Sequence, residues 1–333
     1  MNNLLWNQLQ SRPRTIWRLI LQFGLLLTLM IPFSFCALVV AIPMLLWQGV
    51  DLTDFMIDPG NTLLLNPLVS APYTVATLLA FVGSLWLAAR FVDRRPFADY
   101  GLHLNGRWWA DFAFGLALGA LLMALIFTLE WAAGWLEITA MWQTPWPGVP
   151  FAISLIPPLI TFIAVGIYEE LYFRGFWIKN LAEGLAFWPP RGAIAMTFLL
   201  SSIIFGLAHA SNPNATAVST FNLMLAGLFL GVGYLLTGEL AIPIGLHITW
   251  NFFQGHVFGF PVSGQASGLS VFVIRQGGDT LLAGGAFGPE AGLIGLAAMG
   301  LGSGLMVAWV WWRYGRIAMA PSLTHYTPNP KTE

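Results

Sequence analysis

The sequence predicts an all-α, polytopic membrane protein of about eight transmembrane helices with an intramembrane polar site, and three observations lead there. The 333 residues are 57% hydrophobic and only 9% charged, against roughly 25% charged residues in an average soluble domain. Apolar runs of bilayer length recur along the chain, since crossing the hydrocarbon core takes roughly 20 apolar residues. The basic residues gather on alternate connections, as the positive-inside rule requires of a multi-pass protein.

The runs lie at about 17–47, 71–92, 108–132, 151–178, 192–210, 216–236, 239–258 and 291–312. The first follows a stretch carrying Arg12, Arg14 and Arg18, and it is far longer than the 7–15-residue core of a signal peptide. It is expected to be a true span, bent near Pro32 or Pro43. The connection Asp51 to Pro67 leads to the second run, and "RRPFADYGLHLNGRWW" at 94–109 reads as a cytoplasmic elbow before the third. Gly134 to Pro150 reads as an irregular connection. The fourth, fifth, sixth and seventh runs follow closely on one another. Residues 259–290 form a long glycine-rich connection with a β-like run, Ser270 to Arg275, and such connections often act as lids or binding loops. This one reads equally as an inert outer cap and as a gate. The eighth run is the least sharply bounded at its start. The chain divides into 1–149 with the first three helices and the elbow, a core at 150–258, and 259–333 with the outer loop, last helix and tail.

With the N-terminus inside, 13 of the 14 basic residues fall on cytoplasmic segments and only Arg275 lies outside. Both termini are therefore expected in the cytoplasm of a cell-membrane protein. A net charge of −1 leaves no basic surface for nucleic acid. The lone Cys36 excludes an intramolecular disulfide and a cysteine zinc site. No internal repeat is visible, which argues against a transporter built from inverted repeats.

Within this apolar chain "GIYEELYFRGF" (166–176) places Glu169, Glu170 and Arg174 at membrane depth. Each such charge costs about 2.5–3.5 kcal/mol on insertion scales and usually faces a protein interior or a watery cavity. Glu170 and Arg174, four apart on a helix, can pair directly, which leaves Glu169 for chemistry; the bland alternative is a helix-end salt bridge. "FGLAHA" sets His209 one turn after Phe205, and "GLHITWNFFQGH" sets His247 one turn before Asn251. If the fourth and fifth helices form a hairpin turning at Trp188 to Pro190, Glu169 and His209 are equidistant from the turn and share a depth. The fourth helix must then run on through Lys179 and Glu183. His256, nine residues past His247 on the same helix, has two readings, a neighbour of the site and an interfacial histidine, of which the second is favoured.

A carboxylate, two imidazoles and an amide suggest hydrolysis by an activated water: a glutamate base, a histidine that shares the water or passes its proton to the leaving amine, and oxyanion donors from His247 and Asn251. No cofactor is then required. Zinc held by Glu169, His209 and His247 is the alternative, and residue types alone do not separate the two. There is no H-E-x-x-H; "GQASG" at 264–268 lacks the spacing of a serine nucleophile motif, and "QGGD" at 276–279 is not G-x-G-D.

The ordered set E-E-x-x-x-R (Glu169, Glu170, Arg174), F-x-x-x-H (Phe205, His209) and H-x-x-x-N (His247, Asn251) resembles the CPBP family, which comprises CAAX prenyl proteases and bacteriocin-processing or immunity proteins and is also called the Abi family. The core of the resemblance covers about 150–258. It implies an eight-helix intramembrane endopeptidase with Glu169 as the key base, assisted by His209, His247 and Asn251, working through a glutamate-activated water rather than a metal. The substrate would be a membrane-associated, prenylated or other peptide within the lipid bilayer. Relatives that process C-a-a-X tails act on cytosolic chains, whereas the basic-residue pattern sets His209 and Asn251 toward the outer side. The competing reading is a non-proteolytic membrane binder, of immunity or chaperone type, or a transporter.

Overall fold

Proline, glycine and small polar residues punctuate the apolar runs and set the helix ends. A computed structural model describes residues 4–57, 66–326 and 328. Lys331 and residues 58–65 of the connection from Asp51 to Pro67 lie outside the described residues.

Helix α1 (Thr15–Trp47) keeps Pro32 and Pro43 inside one continuous helix, a position tolerated in membranes because neighbouring groups satisfy the freed carbonyls. Helix α2 (Pro67–Leu87) packs along it and widens into a π turn at Ala88–Asp93. The elbow follows, and α3 (Gly106–Ala132) starts where the Asn105 side chain accepts the backbone N–H groups of Arg107 and Trp108. Helix α4 (Ile156–Glu169) continues as a π-helical segment, Glu170–Ile178, and a last α turn, Lys179–Gly184. It does run on past Arg174, as the hairpin requires. Helix α5 (Pro190–Ala208) has Pro190 in its first turn. Helix α6 (Ala217–Thr237) opens on a reciprocal Thr216–Ser219 cap. Helix α7 (Ala241–Phe252) widens into a π turn at Phe253–Val257, and α8 (Leu293–Tyr314) ends the bundle.

Seven of these helices are long and apolar enough to cross a membrane. The eighth expected span, 239–258, is α7, which is shorter. Its residues from Ala241 to Ile248 are all buried by neighbouring helices, so it has no need to match the full lipid thickness. Its closest neighbour is α3, and the two meet backbone to backbone. A Cβ on Gly115 or Gly119 would stand within 2.5 Å of the Ile242 or Leu246 carbonyl oxygen, and one on Gly245 would stand 2.4 Å from that of Phe112. This small-xxx-small contact fixes the height of α7 and of the histidine it carries.

The β-like run is strand β2 (Ser270–Gln276), but it is not alone. It pairs antiparallel with β1 (Leu136–Gln143), from Leu136 opposite Gln276 to Gln143 opposite Ser270, with a bulge between Ile138 and Ala140. The segment read as an irregular connection therefore contributes a strand, drawn into order by a partner more than a hundred residues away.

The two ends of the bundle differ. At the end carrying the arginines, Glu183 Oε2 takes Arg12 at 2.9 Å, Arg18 at 3.0 Å and Arg95 at 2.6 Å. Arg95 also pairs with Asp99, which binds Lys179 at 2.8 Å, and Asp93 accepts from Asn180 and Tyr100. Burial lowers the Arg12 guanidinium to about 10, with Glu183 opposing the shift. The opposite end carries the strand pair and the loops around residues 211–216 and 259–292.

Candidate active site

The α4–α5 hairpin brings Glu169 and His209 to one depth, and α7, locked against α3, brings His247 beside them. The Glu169 Oε2 atom lies 4.0 Å from His209 Nε2 and 3.9 Å from His247 Nε2. It is buried, with no hydrogen-bond partner among the described residues. Asn251, one turn beyond His247, lines the same cavity of about 550 Å3 with Glu169, His209 and His247.

The pairings around this group fix how each ring presents itself. His209 Nδ1 lies 2.8 Å from the Phe205 carbonyl oxygen. A carbonyl only accepts, so Nδ1 carries the proton and Nε2 faces the cavity. His247 Nδ1 lies 2.7 Å from Glu170 Oε1, and the same oxygen accepts Arg174 Nη1 at 3.0 Å. Glu170 thus does two things. It neutralises Arg174, as the four-residue spacing predicts, and it orients His247 so that Nε2 points at Glu169. The second role has no local signature, because His247 is 77 residues away.

Arg174 is held further by the Gly227 carbonyl oxygen at 2.9 Å and by the Phe205 ring, 4.4 Å from its guanidinium carbon. The same ring packs against His209 with centroids 4.7 Å apart. Phe205 therefore serves two members of the site with its ring and one with its backbone, which accounts for the F-x-x-x-H spacing.

The chain departs from α geometry where the site is built. The π segment begins at Glu170, and its looser i→i+5 pattern frees the Phe173 carbonyl to accept Ser201 Oγ of α5 at 2.6 Å. A second π turn follows Asn251 and contains His256. His256 is not interfacial, the favoured sequence reading, but lines the same cavity as Glu169 and His247, as the other reading expects. It is 4% exposed, bonded through Nδ1 to the Leu269 carbonyl at 2.7 Å, and set between the rings of Phe162 and Phe252. The loop after α7 folds back over it and removes it from the surface. That loop also walls the cavity with Val262, Ser263, Gln265 and Ser267, together with Glu290. Asn212 donates to the Ser263 carbonyl and Asn214 to that of Gly264, both at 3.1 Å, so the wall is stapled to the loop after α5.

As to metal binding, Glu169, His209 and His247 do come together, but among the described residues no three His, Cys, Asp or Glu side chains form a group that could hold a metal ion. The carboxylate oxygen faces two imidazole nitrogens at 4.0 and 3.9 Å, too far for direct hydrogen bonds.

Residues 151–253 match the model of the family described as type II CAAX prenyl endopeptidase Rce1-like. The protein YyaK of Bacillus subtilis (strain 168), described as uncharacterized, is 23% identical over 199 residues, which cover 59% of this chain and 64% of that relative. The match thus spans just under two thirds of the curated relative's length. No solved structure matches the chain. The matched segment contains all six residues of the cluster, from Glu169 on α4 to Asn251 on α7, so the similarity to the type II CAAX prenyl endopeptidase Rce1-like family falls on the candidate site itself.

Proposed function

We propose that the protein is an intramembrane endopeptidase that hydrolyses a peptide bond with a water activated by Glu169, and that its N- and C-termini face the cytoplasm of the cell membrane. The observation that carries the reading is the buried, unpartnered Glu169 Oε2 with the Nε2 atoms of His209 and His247 both within 4.0 Å of it. A water resting against all three is deprotonated by Glu169 as its oxygen attacks the scissile carbonyl carbon. The oxyanion that forms is met by donors from the Asn251 amide and from His247 Nε2 when that ring is protonated. His209, with Nδ1 committed to Phe205, uses Nε2 to carry the proton to the leaving amine nitrogen as the C–N bond breaks. Glu170 and Arg174 are positioning residues that hold His247. The matching family is that of a prenyl endopeptidase, and a membrane-associated peptide is the corresponding substrate class for this chain.

The test is cleavage of a membrane-peptide library by the purified, reconstituted protein, in the presence and absence of a strong chelator. Activity that survives the chelator and disappears in Glu169→Gln supports a glutamate-activated water; activity lost to the chelator and restored by zinc supports a metal enzyme. Full cleavage by Glu169→Gln overturns the reading.

A further inference from the structure

The catalytic cavity lies toward one end of α2, α5, α7 and α8, runs along α4, and reaches the middle of α6 at Leu223 to Leu230. From α2 it takes Ser70 to Phe81, beginning in the first turn, and from α4 Pro158 to Glu169, with Phe173 one turn beyond; from α5 only the last turn contributes, and from α7 only His247 onward. From α8 it takes Met299, near the start. In α2, α5 and α8 this is the half remote from the arginines, because Arg90, Arg94 and Arg95 follow α2, Arg191 opens α5 and Arg313 ends α8. The stretch from Ser70 to Phe81 makes the cavity roughly 16 Å deep along that wall at 1.5 Å per residue. Among the described lining residues only Ala208 and Ala266 are exposed, both at the remote end. They mark the mouth.

The other direction is closed. Immediately inward of Glu169 lie Glu170, Leu171 and Arg174, none more than 1% exposed, followed by Phe176, Tyr100 and Tyr234, all at 0%. Beyond them sits the ion cluster of Glu183 with Arg12, Arg18 and Arg95. A peptide approaching from the basic end would have to open three packed layers, the last holding several buried charges whose separation from their partners is costly. The walls of the cavity are mainly apolar or uncharged and polar, with Thr74, Thr77, Thr161, Gln265 and Ser267, and its ionisable lining groups besides the histidines, Glu169 and Glu290, are both carboxylic acids. A volume of about 550 Å3 suits a short run of residues.

Resting on the endopeptidase reading and its orientation, we infer that the site is served only from the non-cytoplasmic side, and that its substrate is an uncharged stretch of a membrane-anchored or exported polypeptide presented at that face. The mouth between Ala208 and Ala266 is the entry, and the loop carrying Val262 to Ser267, stapled by Asn212 and Asn214, is its fixed outer wall. A free cytosolic tail has no path to Glu169.

Single cysteines test this in a Cys36→Ser background, since Cys36 is exposed. Ala208→Cys and Ala266→Cys are compared with Leu9→Cys, which is fully exposed at the basic end. A membrane-impermeant maleimide added to intact cells should label the first two and spare Leu9→Cys, with the pattern reversed in inside-out vesicles. Labelling of Leu9→Cys alone in intact cells overturns the inference. In sided vesicles, bulky labelling at residue 266 should abolish cleavage of an uncharged quenched-fluorescent peptide relative to the same variant before labelling, while labelling at residue 9 should not. Cleavage only of peptide supplied at the basic face also overturns it. Labelling needs no turnover, so outer labelling with no cleavage from either face keeps the access route and removes the endopeptidase reading, and Glu169→Gln should label as its parent does.

Discussion

Two layers of buried charge are stacked along α4, and they are built on opposite principles. In the layer around Glu183 the carboxylate is surrounded by three guanidinium groups, with Asp93, Asp99, Lys179 and Asn180 extending the network. In the layer around Glu169 the inner glutamate, Glu170, is committed to Arg174 and His247, while the outer one keeps an oxygen without a partner beside a cavity. Both layers bury paired charge, but only the second leaves a carboxylate oxygen, Glu169 Oε2, unpartnered beside a cavity. The difference teaches where to look for chemistry in an apolar chain: at the charge whose neighbours face it without closing on it.

The contrast breaks most visibly if Glu169 proves structural. Glu169→Gln keeps the shape and removes the base, so cleavage should fall by about 10^2- to 10^4-fold, the range ascribed to a positioned acid or base, while the unfolding temperature in detergent stays at the parent value. Loss of folding with this variant would make the outer layer a structural one after all. Glu183→Ala should behave in the opposite sense. It strands Arg12, Arg18 and Arg95 in a buried layer, and removing one partner of a buried ion pair costs about 3–5 kcal/mol. Thermal unfolding should show that loss directly, and whatever folded protein remains should still cleave.

Glu170→Gln sharpens the comparison because Glu170 belongs to both kinds of layer. It is buried and paired like Glu183, yet it aims a histidine at the reacting centre. Cleavage should drop by about 10- to 100-fold, as is typical when a carboxylate that orients a histidine is removed, and the unfolding temperature should fall as well. A variant that loses stability and keeps full activity would assign Glu170 to the scaffold alone.

Much of this was legible in the sequence because it is local. The helices follow from run length. The Glu170–Arg174 pair follows from a four-residue spacing, and the meeting of Glu169 with His209 follows from equal distances to the α4–α5 turn. What was not legible depends on partners far away in the chain. Glu183 looked like a passenger on a long helix, and only the return of Arg12 and Arg95 makes it an anchor. His256 looked interfacial because the loop that buries it folds back through Leu269. The π segments at Glu170 and Phe253 escaped α periodicity, since the extra residue per turn is paid back by tertiary bonds such as Ser201 to the Phe173 carbonyl. The strand at Leu136–Gln143 needed β2 to exist.

The smallest expected effect concerns the cavity's outer wall and depends on pH. Glu290 accepts the Ser263 backbone N–H at 2.6 Å and a bond from Gln254, and so ties the loop to the end of α7. Burial raises its carboxyl from 4.5 to about 7, against the opposing pull of those hydrogen bonds. The fold therefore favours the protonated acid. Below pH 4.5 the folded and unfolded chains both hold the proton and the group contributes no pH dependence; between 4.5 and 7 the unfolded chain releases it while the folded one retains it. The folded state binds more protons over that window, so stability falls as pH rises and levels off above about 7. Glu290→Gln, which cannot ionise, should flatten this component of the unfolding-temperature profile while retaining an acceptor for Ser263. An unchanged slope would mean that the wall is held by Asn212 and Asn214 without help from Glu290, and that the two carboxylic acids lining the cavity differ even more than the two layers along α4.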